Sequence, residues 1–245
     1  MAESDEQHIA ALQAELTGLR TEMQEFTATV SHDLRAPLRH ILSYAQLVRE
    51  DAGPLLSAEV NEFLTTITDS ARHMGVLLDG LTALSRLGVV TVTPMPVSLQ
   101  SAVQDVCDAL SRRCSGRSLE WRLSPDLPMV QADAVLLEQV LVHLVGNAVK
   151  FTTPRAHAVI EISALPASDP GLVQLRVRDN GVGYNAALQS RLFKVFGRLH
   201  SVQQFEGIGM GLVLSQKTAQ RLGGSLAIEG APDSGCCVTL TLPVN

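Results

Sequence analysis

Ser31-His32-Asp33-Leu34-Arg35-Ala36-Pro37-Leu38 sits inside an unbroken helical pattern, and what flanks it on either side decides how the first part of the chain is built. Upstream, apolar residues fall at Ile9, Leu12, Leu16, Leu19, Met23, Phe26 and Val30, in steps of three and four. Polar and charged residues fill most positions between Glu3 and Thr29, which leaves one narrow apolar stripe. A narrow seam of this period is a coiled-coil signal, with a parallel dimer as its natural pairing; a solitary amphipathic helix packed on its own domain needs a broader apolar face. Downstream, the pattern continues to Val48 and meets Asp51-Ala52-Gly53-Pro54, a helix stop and turn. A second stripe, Val60, Leu64, Ile67, Ala71, Met74, Leu78 and Leu81, carries another helix to about Leu87. The two helices make a hairpin, and two such hairpins bury their stripes as a four-helix bundle. Pro37 removes one backbone hydrogen bond and crowds the preceding turn, so a bend close to His32 is expected.

The chain has 245 residues, enough for two modest domains, and a core of aliphatic rather than aromatic residues, since only 4% are aromatic against 46% hydrophobic. A formal net charge of −6 argues against a nucleic-acid-binding surface. Cys107, Cys114, Cys236 and Cys237 lack metal-ligand spacing and read as free thiols of a reducing compartment. No uninterrupted apolar stretch reaches the ~20 residues of a membrane span, so a cytoplasmic chain is expected, with any sensor lying outside this sequence.

After Gly88, the residues Val89 to Pro96 are apolar or small with two prolines, and 89–97 reads as an inter-domain linker. Beyond it the spacing predicts helices at Ser98 to Arg113, Ala134 to Lys150 and Gly211 to Leu222. Strands are predicted at Leu119 to Leu123, Val159 to Ala164, Leu172 to Arg178, Ser225 to Glu229 and Cys237 to Leu242. Helices and mostly hairpin-linked strands in this order make an α/β sandwich.

Three clusters in this half carry chemistry. Asn147-Ala148-Val149-Lys150-Phe151-Thr152 places an amide and an ammonium group one turn apart, able to hold a metal–phosphate unit; for this cluster alone a polar helix end with Lys150 complementing the dipole is the favoured reading. Asp179-Asn180-Gly181-Val182-Gly183 follows a strand and puts a carboxylate, which can accept from an exocyclic amine, beside glycines that admit a ligand close to the backbone; taken singly it is more often only a turn. Gly207-Ile208-Gly209-Met210-Gly211-Leu212 opens a helix whose N-terminal amides suit an anion, but lacks the Lys-Ser/Thr ending of a P-loop.

His32 alone would be a solvated surface residue, but Asp33 beside it can orient the imidazole and leave an unprotonated nitrogen as nucleophile. Ser31 to Leu38 looks like the H-box of the dimerisation and phosphotransfer domain of bacterial sensor histidine kinases. The three clusters, in their order, resemble the N, G1 and G2 boxes of the histidine-kinase ATP-binding domain, a Bergerat fold shared with gyrase, heat-shock chaperone and mismatch-repair ATPases. Leu192 to His200 resembles the F box, and its Arg-Leu-His ending is similar to that of phytochrome-type histidine kinases. The resemblance implies a coiled-coil helix over residues 1–30, a phosphotransfer hairpin over 31–88 and an ATP-binding domain over 98–245. It implies that ATP and Mg²⁺ are bound, with Asn147 on the metal, Lys150 on phosphate, Asp179 reading adenine, and Gly181, Gly183, Gly207, Gly209 and Gly211 shaping pocket and lid. Arg198 is carried over as a lid contact to phosphate. His32 would be phosphorylated with Asp33 as its partner, in a homodimer, and would pass the phosphoryl group to an aspartate on a response regulator receiver domain.

Three positions depart from the family pattern. His143 stands four before Asn147, where the family usually has Asn and the related ATPases a water-activating Glu. Ile208 replaces the usual Thr between the first two lid glycines. Ala36 stands four after His32, where many members place the Thr or Asn associated with dephosphorylating the regulator. Two other functions fit parts of the pattern: an ATPase without phosphohistidine, and a non-catalytic dimeric scaffold or phosphatase.

Overall fold

The computed structural model describes residues 2–114, 116–201 and 204–244; in the first helix the side chains of residues 2–7, 9, 10 and 13 lie outside the description, including that of Ile9 in the seam. The chain divides into two compact units, Met1–Val90 and Thr91–Asn245.

The first unit is a helical hairpin: α1 (Ala2–Ala52), a 3₁₀ turn at Gly53–Leu55 with its proline in the first turn, and α2 (Ala58–Leu87). Ser57 starts α2 by accepting the Val60 N–H at 3.3 Å, one of the free amides every helix start presents. α1 carries Pro37 within it and is helical throughout Ser31 to Leu38. The second stripe splits in two. Thr68, Ala71 and Thr82 are buried in the hairpin with Ser31, Leu38 and Ala45 of α1, whereas Val60, Ile67 and Met74 remain exposed. Leu12, Leu16, Leu19, Met23 and Phe26 of the seam are exposed too. One hairpin therefore leaves much of the apolar pattern of both stripes exposed.

The second unit is a five-stranded sheet in the order β2 (Leu119–Leu123), β4 (Ala158–Pro166), β5 (Leu172–Asp179), β7 (Cys236–Pro243), β6 (Ser225–Gly230), with β2 and β4 parallel and the other pairs antiparallel. Register explains its two faces. Ile162, Val177 and Val238 are cross-strand neighbours, as are Leu175 and Leu240, and all are buried. The alternate positions, among them Glu161, Arg176, Arg178 and Thr239, form the opposite, polar face. Helices α4 (Ala134–Phe151) and α5 (Gly211–Arg221) cover the apolar face, α4 across β4 and β5 and α5 across β6 and β7; α3 (Leu99–Arg113) packs on α4. Lying between sheet and helices, α4 is apolar nearly all round; among the described residues it alone is long and apolar enough to cross a membrane. Asp133 caps it, accepting from Val135 at 3.1 Å and Leu136 at 3.2 Å.

The expected linker is shortened at its C-terminal end. Met95–Ser98 forms β1, paired antiparallel with β3 (Met129–Ala132), and the Thr93 N–H reaches Asp133 Oδ2 at 3.2 Å. Pro96 is compatible with this pairing because the two-stranded sheet has edges on which its missing donor faces no partner.

Candidate nucleotide site and phosphoacceptor

The C-terminal end of α4 is the hub of the second unit's site. Phe151 O accepts the Val182 N–H at 3.2 Å, and a Cβ on Gly181 would fall 2.6 Å from that same oxygen, so only glycine fits there. Gly183 has φ of +61° and its Cβ would lie 1.8 Å from Ala231 O, again a position closed to side chains. Between strand and loop, Asp179 is only 6% exposed on the helix-covered face, and its Oδ1 accepts the Gly181 N–H at 2.8 Å. Burial raises its pKa to about 6, against the smaller opposing effect of the backbone donors Gly181 and Cys236. A buried carboxylate with spare acceptor capacity and low dielectric around it is suited to reading an amine.

The neighbouring Asn180 does different work. Its Oδ1 accepts from Val159 N at 3.0 Å and its Nδ2 donates to His157 O at 3.0 Å, stitching the loop to β4. Arg155, which carried no signal in the sequence, braces the loop by donating to Asn180 O (2.8 Å), Gly181 O (2.9 Å) and Asp233 O (2.9 Å).

The third cluster folds back on the first. α5 begins at Gly211 with no side-chain cap, which leaves its first amides open. A Cβ on Gly211 would meet His143 Cδ2 at 3.7 Å and Asn147 Nδ2 at 3.9 Å, and one on Gly207 would meet Lys150 Nζ at 3.6 Å. Lys150 also stands 4.4 Å from the centre of the Phe151 ring. Its pKa is lowered, first by burial and then by the Arg198 charge, with Glu206 opposing. Asn147, Lys150, Gly207 and Gly211 thus lie close to one another along α4 and the segment that leads into α5. Gly209 has φ of +75° and its Cβ would lie 2.4 Å from Gly197 O, where only glycine is accommodated.

The Arg198 guanidinium donates to Gly207 O and Phe205 O and so braces the lid backbone, close enough to Lys150 for its charge to lower the lysine pKa. Another lid contact went unread: His200 Nε2 lies 3.0 Å from Gly183 O, and the rings of Phe151, His200 and Phe205 cluster with centroids 5.0 to 5.5 Å apart.

In the first unit, the His32 side chain is 85% exposed, with Nδ1 3.2 Å from Asp33 Oδ1. That contact occupies one ring nitrogen and turns the other to solvent.

Two family models match this chain. Residues 22–89 match the His kinase A (phospho-acceptor) domain, and residues 132–245 match the histidine kinase-, DNA gyrase B- and HSP90-like ATPases. The chain belongs to the sensor histidine kinases. This kinase is 32% identical over 235 residues to cyanobacterial phytochrome B of Nostoc sp., a match covering 96% of this chain and 31% of that protein. It is 30% identical over 219 residues to the signal transduction histidine-protein kinase BarA of Escherichia coli, covering 86% of this chain and 23% of the other. The kinase chain therefore spans about a third or less of the length of these relatives. Among solved structures, full-length ShkA in complex with AMPPNP superposes with a TM-score of 0.65 at 29% identity, over 89% of this chain and 45% of that one. The Acinetobacter baumannii histidine kinase AdeS shares the fold, with a TM-score of 0.61 at 22% identity over 87% and 98% of the two chains.

The donor set of the kinase's site suits a nucleotide-borne cation. Among the described residues no cluster of His, Cys, Asp and Glu could cage a metal by itself. A Mg²⁺ ion that keeps phosphate oxygens and water and takes one amide oxygen from the protein fits that arrangement.

Proposed function

We propose that this kinase region transfers the γ-phosphoryl group of ATP to His32 and then to an aspartate of a response regulator. The observation that carries the reading is that Gly207 and Gly211 lie against Lys150 and Asn147 of α4, with the Asp179 loop packed on the Phe151 end of the same helix, in a chain that also exposes His32 with Nδ1 beside Asp33. Asp179 accepts from the adenine amine. Lys150 and the α5 amides meet phosphate, and Asn147 would hold Mg²⁺, which when bound neutralises the triphosphate. His32 Nε2 forms a bond to the γ-phosphorus as the bond to the bridging oxygen breaks and ADP leaves, while Asp33 holds the Nδ1 proton. Positioning and charge neutralisation supply most of such catalysis. The chain acts as a parallel homodimer: the exposed seam from Leu12 to Phe26 and the leftover strip of Val60, Ile67 and Met74 call for a second copy. A sensor outside this sequence regulates it, and the chain works in the cytoplasm, where ATP is at hand.

The test is incubation with γ-³²P-ATP and Mg²⁺. Acid-labile, alkali-stable label on the wild type, absent from His32→Gln, is the expected result. Absence of label in both, or steady phosphate release from His32→Gln at the wild-type rate, overturns the phosphohistidine reading in favour of a scaffold or a plain ATPase.

A further inference from the structure

Arg155 stands in the turn that follows α4, its own N–H donating to Thr152 O at 2.9 Å, and its half-buried side chain crosses to the Asp179–Gly183 loop. Nε donates to Asn180 O at 2.8 Å and Nη2 to Gly181 O at 2.9 Å. These carbonyls belong to the two peptide units that flank Gly181. The N–H of the first unit, that of Gly181, donates to Asp179 Oδ1 at 2.8 Å, and the N–H of the second, that of Val182, donates to Phe151 O at 3.2 Å. Each unit is thus pinned at its oxygen by Arg155 and at its nitrogen by Asp179 or by the end of α4. Nη2 also donates to Asp233 O at 2.9 Å in the β6–β7 turn, and the Asp233 N–H returns to Val182 O at 2.8 Å. A peptide unit is planar, so fixing its carbonyl fixes the direction of its N–H, and a charged donor on the oxygen strengthens that N–H as a donor.

The inference rests on the reading of Asp179 as the acceptor of the adenine amine. We infer that Arg155 is a positioning residue for base recognition: by holding the peptide units on both sides of Gly181 it keeps the Asp179 carboxylate in place, and the preference of the site for adenine over guanine depends on it. A fixed carboxylate accepts from the amine of adenine and repels the carbonyl oxygen that guanine carries at the same ring position. A carboxylate free to turn aside loses the first contact and relieves the second. Loss of Arg155 therefore weakens adenine binding without weakening guanine binding, whereas general damage to the fold weakens both alike.

The experiment measures the affinity of the whole chain for AMPPNP and for GMPPNP, each with Mg²⁺, by calorimetry. The proteins are wild type, Arg155→Gln, Arg155→Lys, and Asp179→Asn with and without Arg155→Gln. The wild type is expected to prefer AMPPNP, and Arg155→Gln to lower the ratio of the two affinities about tenfold, the scale of one hydrogen bond to a charged group. Arg155→Lys, whose ammonium lacks the fork that reaches both carbonyls, is expected to fall between the two. It keeps the charge and decides the matter if Arg155→Gln does not fold. With Asp179→Asn already in place, Arg155→Gln should leave the ratio unchanged, because its effect runs through the carboxylate. A ratio unchanged by both Arg155 substitutions, two affinities that fall together, or the same drop in the ratio with Asp179→Asn in place overturns the inference while leaving the nucleotide reading intact. A wild type that binds AMPPNP no more tightly than GMPPNP overturns the reading of Asp179, and the inference with it.

Discussion

Replacing Asp179 by Asn sets the stability of the ATP unit against its function. Asp179 is 6% exposed and its pKa stands at about 6 against an ordinary 3.8, chiefly because burial penalises the carboxylate. At neutral pH the folded unit therefore holds a charge it disfavours by roughly 2 pK units, about 3 kcal/mol at 1.36 kcal/mol per unit. The raised pKa means that the folded state binds the proton more tightly than the unfolded one. Stability from this group is fully present below about pH 4 and is lost as the pH rises through about 6. Asp179→Asn removes the penalty while keeping an oxygen for the Gly181 N–H. The nucleotide-free variant should be more stable than wild type at pH 7.5 by up to about 3 kcal/mol, a Tm rise of several degrees. The gap should close between pH 6 and 4. Urea unfolding across that range measures it, and calorimetry with AMPPNP should show affinity down by more than tenfold, because the new NH₂ group opposes the adenine amine. A variant less stable than wild type at pH 7.5, or a stability gap independent of pH, refutes the account of Asp179 as a strained buried acid.

Two glycines should respond in opposite directions to alanine. Gly183→Ala places a Cβ against Ala231 O at φ of +61° and should cost at least about 2 kcal/mol, whereas Gly146→Ala, in mid-helix with nothing within 4 Å of its Cβ, should gain about 0.5–1 kcal/mol; thermal unfolding compares them. The His200 contacts predict that His200→Phe, which keeps a ring against Phe151 and Phe205 but not the bond to Gly183 O, loosens the lid less than His200→Ala. Hydrogen exchange over residues 198–209 and the KM for ATP should rise in that order, with kcat at saturating ATP nearly unchanged.

What was legible in the sequence follows from the range over which each feature is decided. The hairpin, α3, α4 and the strands of the large sheet were readable because periodicity within one segment sets which face is buried. Asp179, Asn147, Lys150 and the glycines could be singled out because each sits in a short local cluster, and the structure brings Gly181, Gly207 and Gly211 beside residues of α4. The β1–β3 pair was not readable: four residues long, with Pro96 in one strand, it exists only through a partner more than thirty residues away. The same holds for the roles of Arg155 and Arg198. Their guanidiniums meet backbone carbonyls, and a carbonyl has no residue identity for a sequence to display. Split burial in α2 had a different cause. A single stripe of apolar residues cannot say which of its members face the same chain and which face a second one, since both surfaces demand the same chemistry. Only the hairpin's own packing separates Ala71, 1% exposed, from Ile67, 46% exposed, one helical turn earlier. The residues left over are the ones the proposed homodimer would bury, so the test of that assembly lies in the part of the pattern that the folded chain leaves exposed.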